Sequence, residues 1–182
     1  MKILFFVLAG LFLVGNSFAF DIKSEVFESK GYIPDRYTCD AQDFSPPLHW
    51  DSIPSNAKSL VLICDDSDAP YNIWTHWLLF NIPVNISGIK EAISGTELES
   101  LGVIKGINDF GKECYRGPCP KQGGVHRYSF KLYAIGEILS LSQGANKKEV
   151  VEAMQGHIIA EAKIIGLYRK KAECESCKKN KK

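Results

Sequence analysis

Three short stretches of β-forming residues dominate the middle of the chain and limit what it can fold into. Residues 59–64 read Ser-Leu-Val-Leu-Ile-Cys, a continuous apolar run that is typical of a strand with both faces buried. Residues 73–83 form a second apolar run, which ends at a proline, and residues 128–134 alternate between the two faces of a strand. Turn-rich loops separate these stretches, and this pattern favours a β-sandwich.

The remaining segments carry weaker or mixed signals. Residues 22–27 alternate as a strand does, whereas residues 32–54 are rich in Pro, Asp and Ser and predict turns and irregular loop. Residues 158–165 fit either an alternating strand or a helical stripe, and we favour the strand. The pattern as a whole places the chain in the mainly β class.

One helix is predicted after Asn146. Asn146 is a good N-cap, and Glu149 stands three residues later, where a capping box needs it. An apolar stripe follows, and Gly156 ends the helix. The expected architecture is therefore a β-sandwich with a few short peripheral helices.

Composition excludes several classes of protein. Of 182 residues, 45% are hydrophobic and 24% are charged, as in ordinary globular domains and unlike disordered or collagen-like chains. The formal net charge of +1 gives no overall attraction for nucleic acid. The length fits one domain that buries its own core without help from disulfides or metal.

Residues 1–19 predict a secretory signal peptide. Lys2 precedes the apolar residues 3–14, and the small residues Ser17 and Ala19 fit a signal-peptidase site with cleavage after Ala19. The alternative is an uncleaved membrane anchor, for which the apolar run falls short of ~20 residues. We expect a periplasmic or secreted protein without a membrane span after cleavage.

Residues 169–182 form a basic segment, with seven Lys or Arg and two Glu. We expect this tail to be solvated, with contact to anionic lipid or an acidic partner as the alternative. Its Cys174-x-x-Cys177 motif lacks the strand-to-helix context of a thioredoxin motif. We interpret it as a local disulfide or as tail thiols, with a metal or redox element as the alternative. The folded domain is expected to span residues 20–168.

Four cysteines lie within that expected domain, at Cys39, Cys64, Cys114 and Cys119. An exported protein meets an environment that permits disulfides. Four cysteines allow three pairings, and the sequence does not choose among them.

Polar residues gather where the predicted strands begin or end. Residues 65–70 read Asp-Asp-Ser-Asp-Ala-Pro after the first strand, and Asp66 and Asp68 point the same way if the chain is extended. His76 lies among aromatic residues near the start of the second strand. His126 lies near the start of the third, after a stretch rich in Gly and Pro. We expect these side chains to meet in one site.

These residue types suit the binding of an anion. A carboxylate that accepts a hydrogen bond from one ring nitrogen of each histidine fixes the tautomer and turns the other nitrogen toward a ligand. We expect backbone N–H groups near Gly117 to complete an anion nest and Trp74 to supply an apolar wall. Zinc is the competing ligand, but no compact spacing such as His-Glu-x-x-His occurs. We therefore expect neither a metal nor a cofactor.

Nucleophilic catalysis has little support in the sequence. There is no Gly-x-Ser-x-Gly elbow, and Ser67 has no obvious base of its own. A Cys119–His126 pair is conceivable, but nothing marks Cys119 as a thiolate. We expect a binding protein rather than an enzyme. The alternative is a hydrolase that uses the His and Asp residues as general acid and base.

Taken together, these residues resemble the phosphatidylethanolamine-binding protein family, also called Raf-kinase-inhibitor-like proteins, and most closely its bacterial and archaeal YbhB/YbcL branch. The resemblance runs from about Phe27 to Tyr168 and rests on the order and spacing of many short stretches. They are 37–40 (Tyr-Thr-Cys-Asp), 45–48 (Ser-Pro-Pro-Leu), 65–70, 74–77 (Trp-Thr-His-Trp), 108–111 (Asn-Asp-Phe-Gly), 117–120 (Gly-Pro-Cys-Pro), 126–128 (His-Arg-Tyr) and 156–162 (Gly-His-Ile-Ile-Ala-Glu-Ala).

The resemblance implies an antiparallel β-sandwich with a small pocket at one end that binds phosphate or phospho-headgroup-like anions. Together the pattern and the resemblance assign ligand binding to ten residues: Asp66, Asp68, Pro70, Trp74, His76, Gly117, Pro118, His126, Arg127 and Tyr128. The expected function is an exported binding protein for a small anionic or phosphorylated ligand, which inhibits or modulates a partner protein.

Two positions depart from the family pattern. Ser67 replaces the proline of the usual Asp-Pro-Asp, and because serine leaves φ free we expect a looser turn and an altered ligand preference. Lys121 replaces a proline in the pocket loop, and we expect it to face water rather than to add charge at the pocket rim.

The resemblance also implies that Cys39 and Cys64 are buried free thiols.

Overall fold

The structure is a computed structural model that describes residues 19–121 and 123–171. The predicted signal peptide, except Ala19, and both cysteines of the Cys174-x-x-Cys177 motif lie outside these described residues. Within the two described ranges, neither helix has the length and apolar character that crossing a membrane requires.

Eight strands and two α-helices follow one another along the described chain, and a short 3-10 helix at Asp35–Tyr37 lies between the first two strands. In order they are β1 (Asp21–Lys23), β2 (Leu48–Asp51), β3 (Ser59–Asp66), β4 (Trp74–Pro83), β5 (Gly88–Ile89), α1 (Gly95–Ser100), β6 (Ile104–Lys105), β7 (His126–Ile135), α2 (Lys147–Met154) and β8 (Ile158–Tyr168). The strands form two antiparallel sheets, ordered β1-β2-β5 and β6-β4-β3-β7-β8. The predicted antiparallel β-sandwich with a few short helices is confirmed.

Strand β3 is buried along its whole length because both faces of the larger sheet are covered. On one face, Leu62 packs in a core that also holds Trp50 of β2, between the two sheets. On the other face, Val61 packs in a second core with Val150 and Met154 of α2. This double coverage explains why the β3 sequence is a continuous apolar run.

Both helices begin with a capping box. In α2, the Asn146 side chain accepts the Glu149 backbone N–H, and the Glu149 carboxylate accepts the Asn146 backbone N–H. The predicted helix is confirmed, and it ends at Met154, just before Gly156. Helix α1 uses Ser94 in the same way. Helix α1 was not predicted, because its six residues are too few to show an apolar stripe.

Four of the five predicted strands are confirmed, and the fifth is confirmed only in part. The strands expected at 59–64, 73–83, 128–134 and 158–165 are present as β3, β4, β7 and β8. The strand predicted from residue 22 already ends at Lys23. The prediction of irregular loop over residues 32–54 is wrong at β2, where Leu48 and Trp50 are buried in alternation with more exposed neighbours. Two-residue strands such as β5 carry no local signal.

One disulfide fixes the pairing that the sequence left open. Cys39 and Cys119 are bonded, with their Cα atoms 5.4 Å apart, so the expectation of a free thiol at Cys39 is wrong. Cys64 is a buried thiol as expected, and burial raises its pKa well above the usual value, which keeps it unreactive. Cys114 is exposed and has no disulfide partner among the described residues.

Candidate ligand-binding site

Strand pairing brings the polar segments together at one end of the larger sheet. Strand β3 runs antiparallel to both β4 and β7, so the last residues of β3 lie beside the first residues of its two neighbours. Asp66 pairs with Trp74 of β4 on one side and with Tyr128 of β7 on the other. The three polar segments, which are far apart in the sequence, therefore meet.

A β-bulge sets the position of His76. Cys64 pairs with Trp77 but Asp65 pairs with Thr75, which makes His76 an extra residue on β4. A regular strand would send adjacent residues to opposite faces. Here Trp77 packs in the core between the sheets, and His76 lines a cavity on the same side at the end of that core.

The cavity has a volume of about 290 Å³. Six of the ten residues predicted to bind a ligand line it, and they are Asp66, Pro70, Trp74, His76, His126 and Tyr128. The large apolar side chains of Tyr71, Phe110 and Pro120 also line it, and none of these was predicted to bind. Phe110 and Pro120 lie in stretches that matched the family, and this match was the sequence signal by which they could have been predicted. Tyr71 had no such signal.

Asp66 holds His126 through one ring nitrogen. Nδ1 of His126 donates to Oδ2 of Asp66 at 2.8 Å, and Oδ1 of Asp66 accepts the backbone N–H of Asp68 at 2.9 Å. The Asp66 and His126 side chains are only 6% and 15% exposed. Because Nδ1 is committed to the carboxylate, Nε2 is the ring nitrogen left for a ligand.

His76 is oriented by a backbone carbonyl instead of a carboxylate. Its Nδ1 lies 2.6 Å from the Arg116 carbonyl oxygen, which only accepts, so Nδ1 carries the proton. The expectation that carboxylates orient both histidines is therefore wrong for His76. Burial lowers the pKa of His76 below its ordinary 6.5, so the ring is neutral at neutral pH and Nε2 holds a lone pair.

Tyr128 places a buried hydroxyl at the cavity. The residue is fully buried, and its hydroxyl has no hydrogen-bond partner among the described residues. Burial, reinforced by the nearby charge of Asp66, raises the Tyr128 pKa far above its usual value, so the hydroxyl stays a neutral donor. Leaving such a group unpaired costs about 1–3 kcal/mol, and a ligand atom in the cavity can supply the partner.

Asp68 and Arg127 form a pair of their own outside the cavity. The Arg127 guanidinium donates from Nε and Nη2 to the two Asp68 carboxylate oxygens at 2.8 and 2.7 Å. Neither residue lines the cavity. Asp66 and Asp68 would point the same way only in an extended chain, and this condition is not met because the strand ends at Asp66.

Gly117 and Pro118 also lie outside the cavity lining. The Gly117 backbone N–H donates to Oδ1 of Asp43 at 2.6 Å, so it is not open to an anion, and the expected nest near Gly117 is absent at that position. Glycine is needed there for close packing, since a Cβ atom would lie 2.3 Å from the Tyr37 carbonyl oxygen.

The two departures from the family pattern have local consequences. Ser67 fastens its turn, because its backbone N–H and its hydroxyl both donate to the Arg127 carbonyl oxygen, at 3.1 and 3.3 Å. These bonds offset the loosening that loss of proline was expected to cause. Lys121 is exposed, but it also lines the cavity, so its position fits charge at the pocket rim as well as the expected contact with water.

The geometry gives no support to the zinc and thiolate alternatives. Within residues 19–121 and 123–171, no three His, Cys, Asp or Glu side chains are grouped so that they could hold a metal ion. The Cys119 sulfur is bonded to Cys39 and so offers no thiolate to His126.

Residues 23–169 match the family model of the phosphatidylethanolamine-binding protein. The chain belongs to this family. The resemblance read from its motifs is therefore confirmed, and two relatives show how closely the match extends. The UPF0098 protein of Methanothermobacter thermautotrophicus is 52% identical over 150 residues, which are 82% of this chain and 99% of the relative. The UPF0098 protein of Aquifex aeolicus is 43% identical over 162 residues, which are 88% of this chain and 94% of the relative.

Two solved structures share the fold. E. coli YbcL, described as a new member of the mammalian family, has a TM-score of 0.78 at 28% identity. A Chlamydia trachomatis protein described as a homolog of the phosphatidylethanolamine-binding protein has a TM-score of 0.77 at 36% identity. In both cases the match covers 84% of this chain and 99% of the other.

Proposed function

We propose that this protein is an exported binding protein for a small anion, namely phosphate or a phosphate-bearing headgroup, and that ligand binding modulates a partner protein. One observation carries the binding proposal. Nε2 of His76, Nε2 of His126 and the Tyr128 hydroxyl surround one cavity, and none has a hydrogen-bond partner among the described residues. Protonated imidazoles and a phenol are suitable donors to phosphate oxygens.

Binding of this kind takes up protons. In His76, Nδ1 already donates to the Arg116 carbonyl oxygen, so Nε2 donates to an anion only after the ring gains a second proton. Phosphoethanolamine affinity should therefore increase as the pH falls from 8 toward 6.5. Below about pH 6 the phosphate ester itself gains a proton, and the increase should stop.

The cavity also suits the ammonium end of a headgroup. The family and its structural relatives are named for phosphatidylethanolamine, whose headgroup joins a phosphate to an ammonium group. The Asp66 carboxylate and the Trp74 ring both line the cavity and are groups that attract a cation. A volume of about 290 Å³ accommodates a headgroup without its acyl chains.

The test is an NMR titration of the four histidine rings with phosphate and with phosphoethanolamine. We expect saturable shifts at His76 and His126 only. His49 of β2 and the exposed His157 lie outside the cavity lining and serve as internal controls. Separate His76→Ala and His126→Ala substitutions should abolish the remaining shifts while leaving the control signals in place. Silence of both cavity rings in the intact protein would refute the proposal.

A hydrolase remains the second candidate because the Asp66–His126 pair has the form of an oriented general base. Its test is turnover of phosphomonoesters and carboxylic esters by the pure protein. Activity that disappears with His126→Ala would establish the hydrolase, whereas saturable binding without turnover would favour the binding protein.

Export and partner modulation need tests of their own. Expressed in a bacterial host, the chain should appear in the periplasmic fraction. Its mass should be that of a chain whose first residue is Phe20. Retention of the first nineteen residues in a membrane fraction would instead indicate an anchor. Partner binding that changes with added phosphate, and no longer does so with His126→Ala, would support modulation through the cavity.

A further inference from the structure

The peptide bond between Arg116 and Gly117 connects a carboxylate to the His76 ring. On one side of this peptide, the Arg116 carbonyl oxygen accepts from Nδ1 of His76 at 2.6 Å. On the other side, the Gly117 N–H donates to Oδ1 of Asp43 at 2.6 Å. Because a peptide unit is planar, a bond that fixes the direction of its N–H also fixes the direction of its C=O. Asp43 therefore sets where the acceptor of His76 points.

Local backbone geometry lets Asp43 reach this peptide. Asp43 lies in the loop before β2 with a φ of 59°, in the left-handed region that aspartate tolerates better than most residues. Gly117 permits the close approach, since a Cβ atom there would lie 2.6 Å from Oδ1 of Asp43. The Asp43 side chain is only 21% exposed, so water screens its charge only in part.

Arg116 fastens the same carboxylate to the cavity wall. Its Nε lies 3.3 Å from Oδ2 of Asp43, and its backbone N–H donates to the His76 carbonyl oxygen at 3.1 Å. Its guanidinium lies 5.9 Å from the centre of the Phe110 ring, which lines the cavity and packs edge-on against the His76 ring at 5.1 Å. These contacts make Arg116 the link between Asp43 and the surroundings of His76.

The charge of Asp43 also acts through this peptide. Hydrogen bonds in a chain polarise one another, so a carboxylate on the Gly117 N–H makes the Arg116 carbonyl oxygen a better acceptor. Burial lowers the pKa of His76, whereas the bond to that oxygen and the charges of Asp66 and Asp43 oppose the shift. Asp43 thereby favours the doubly protonated ring that can donate from Nε2 to an anion.

We propose that Asp43 is a positioning residue of the cavity, which acts through the Arg116–Gly117 peptide to keep the His76 proton on Nδ1 and to turn Nε2 toward the ligand. The two histidines then use one carboxylate each. Asp66 contacts the His126 ring directly, whereas Asp43 reaches His76 through a peptide. The inference rests on the proposed function for its ligand, but the state of the ring is measurable without one.

The first test reads the His76 tautomer in the full, ligand-free chain. At pH 8 this ring is neutral, and the NMR shifts of its two nitrogens show which of them carries the proton. The parent chain should carry it on Nδ1. In Asp43→Ala the peptide loses its fixed direction, so the two shifts should approach each other, as in a mixture of tautomers. A proton that stays on Nδ1 in folded Asp43→Ala would overturn the proposal.

Asp40→Ala is the matched control for loosening of the loop. Asp40 lies three positions before Asp43, pairs with Tyr168 and Lys170, and does not line the cavity. This variant should keep the nitrogen shifts that His76 has in the parent. Equal changes in Asp40→Ala and Asp43→Ala would show that the shifts report only a looser loop, and would overturn the positioning role.

Asp43→Asn supplies the conservative variant. Its amide oxygen can still accept from the Gly117 N–H, so the proton should return to Nδ1 of His76. The signal of His157, which lies between α2 and β8, should stay in place in every variant and show that the protein is folded. An Asp43→Asn ring that matches Asp43→Ala would contradict positioning through this hydrogen bond.

The second test measures phosphoethanolamine affinity by calorimetry at pH 7. Asp43→Ala should bind at least about fivefold more weakly than the parent, a loss that corresponds to about one hydrogen bond. Asp40→Ala should bind as the parent does. An absence of binding in the parent would refute the proposed function. Binding by the parent with equal affinity in Asp43→Ala would instead overturn the positioning role of Asp43.

Discussion

Asp65 and Asp66 are neighbours on β3, yet their carboxylates lie in opposite surroundings. Asp65 accepts from Nζ of Lys147 at 2.7 Å, from Nζ of Lys131 at 3.3 Å and from the Thr75 hydroxyl at 3.1 Å. Its side chain is 2% exposed. This carboxylate is neutralised and saturated by the protein itself, as a buried charge must be.

Asp66, one residue later, is buried almost as deeply but faces the cavity. It has no ammonium partner in the described chain, only His126 and one backbone N–H. Among the residues that the structure describes, the second ring nitrogen of His126 has no hydrogen-bond partner, and neither has the hydroxyl of Tyr128 beside it. The comparison shows that burial alone does not distinguish a carboxylate that stabilises the fold from one that is placed to act at the cavity. Around these two carboxylates the hydrogen bonds left unmade do, because the unpaired groups of His126 and Tyr128 lie beside Asp66 and not beside Asp65.

The largest effect is expected from removing the partners of Asp65. Replacing both Lys131 and Lys147 with Met leaves a buried carboxylate without a cation, and the free energy of unfolding should fall by about 3–5 kcal/mol. Urea unfolding measures this. Lys148→Met is the control, because Lys148 is exposed and pairs only with Glu152 at 3.8 Å, and it should change stability by less than about 0.5 kcal/mol. If the double variant lost as little stability as Lys148→Met, the ion pairs of Asp65 with Lys131 and Lys147 would not stabilise the fold.

Asp66→Asn is expected to affect binding more than stability. An amide accepts fewer and weaker hydrogen bonds than a carboxylate, so stability should fall by only about 1–2 kcal/mol. Phosphoethanolamine affinity should fall at least about tenfold, because His126 loses the group that orients it. Asp68→Asn is the matched control, since Asp68 lies outside the cavity lining, and calorimetry should show its affinity unchanged. Equal losses in both variants would contradict a special role for Asp66.

Two buried tyrosines differ in whether their hydroxyl is hydrogen-bonded in the described chain. The Tyr115 hydroxyl donates to the Tyr37 carbonyl oxygen at 2.9 Å, so Tyr115→Phe should cost about 1 kcal/mol. Tyr128→Phe should leave the ligand-free protein equally stable or more stable by up to about 1 kcal/mol, and should weaken phosphate binding. A loss of stability for Tyr128→Phe as large as that for Tyr115→Phe would show that its hydroxyl is already satisfied.

The smallest expected effect is a change in how the stability of the protein depends on pH when His76 is replaced. Burial lowers the His76 pKa in the folded protein, so the unfolded chain binds more protons as the pH falls through 6.5. His76 therefore contributes a loss of stability on acidification, which is absent above that pH. Urea midpoints measured between pH 7.5 and pH 5 should fall less steeply in His76→Gln than in the parent protein. Parallel curves would contradict the assigned neutral ring.

Much of the site was predictable because local patterns mark it. The apolar run of β3 gives the strand, and Asp66 follows directly from its position at the end of that run. His76 and His126 are recognisable in the same way, at the starts of β4 and β7. The family motifs supported the same residues, because eight short stretches in one order are far more specific than any single motif.

Other assignments failed because local pattern does not encode partners. Asp68 and Arg127 look like cavity residues in the sequence, but each satisfies the other outside the cavity. Gly117 looks like part of an anion nest, but Asp43 occupies its N–H. Each error concerns which group, distant in the chain, completes a hydrogen bond.

The sequence by itself determined the β-sandwich class, the long strands, helix α2 and the family, because periodicity, capping residues and motif order are properties of neighbouring residues. Only the tertiary structure decided the bulge at His76, the choice of Cys119 as partner of Cys39, and the opposite fates of Asp65 and Asp66. These depend on strand register and on contacts between residues dozens of positions apart. Such contacts are chosen by the packing of the whole domain and not by any one segment.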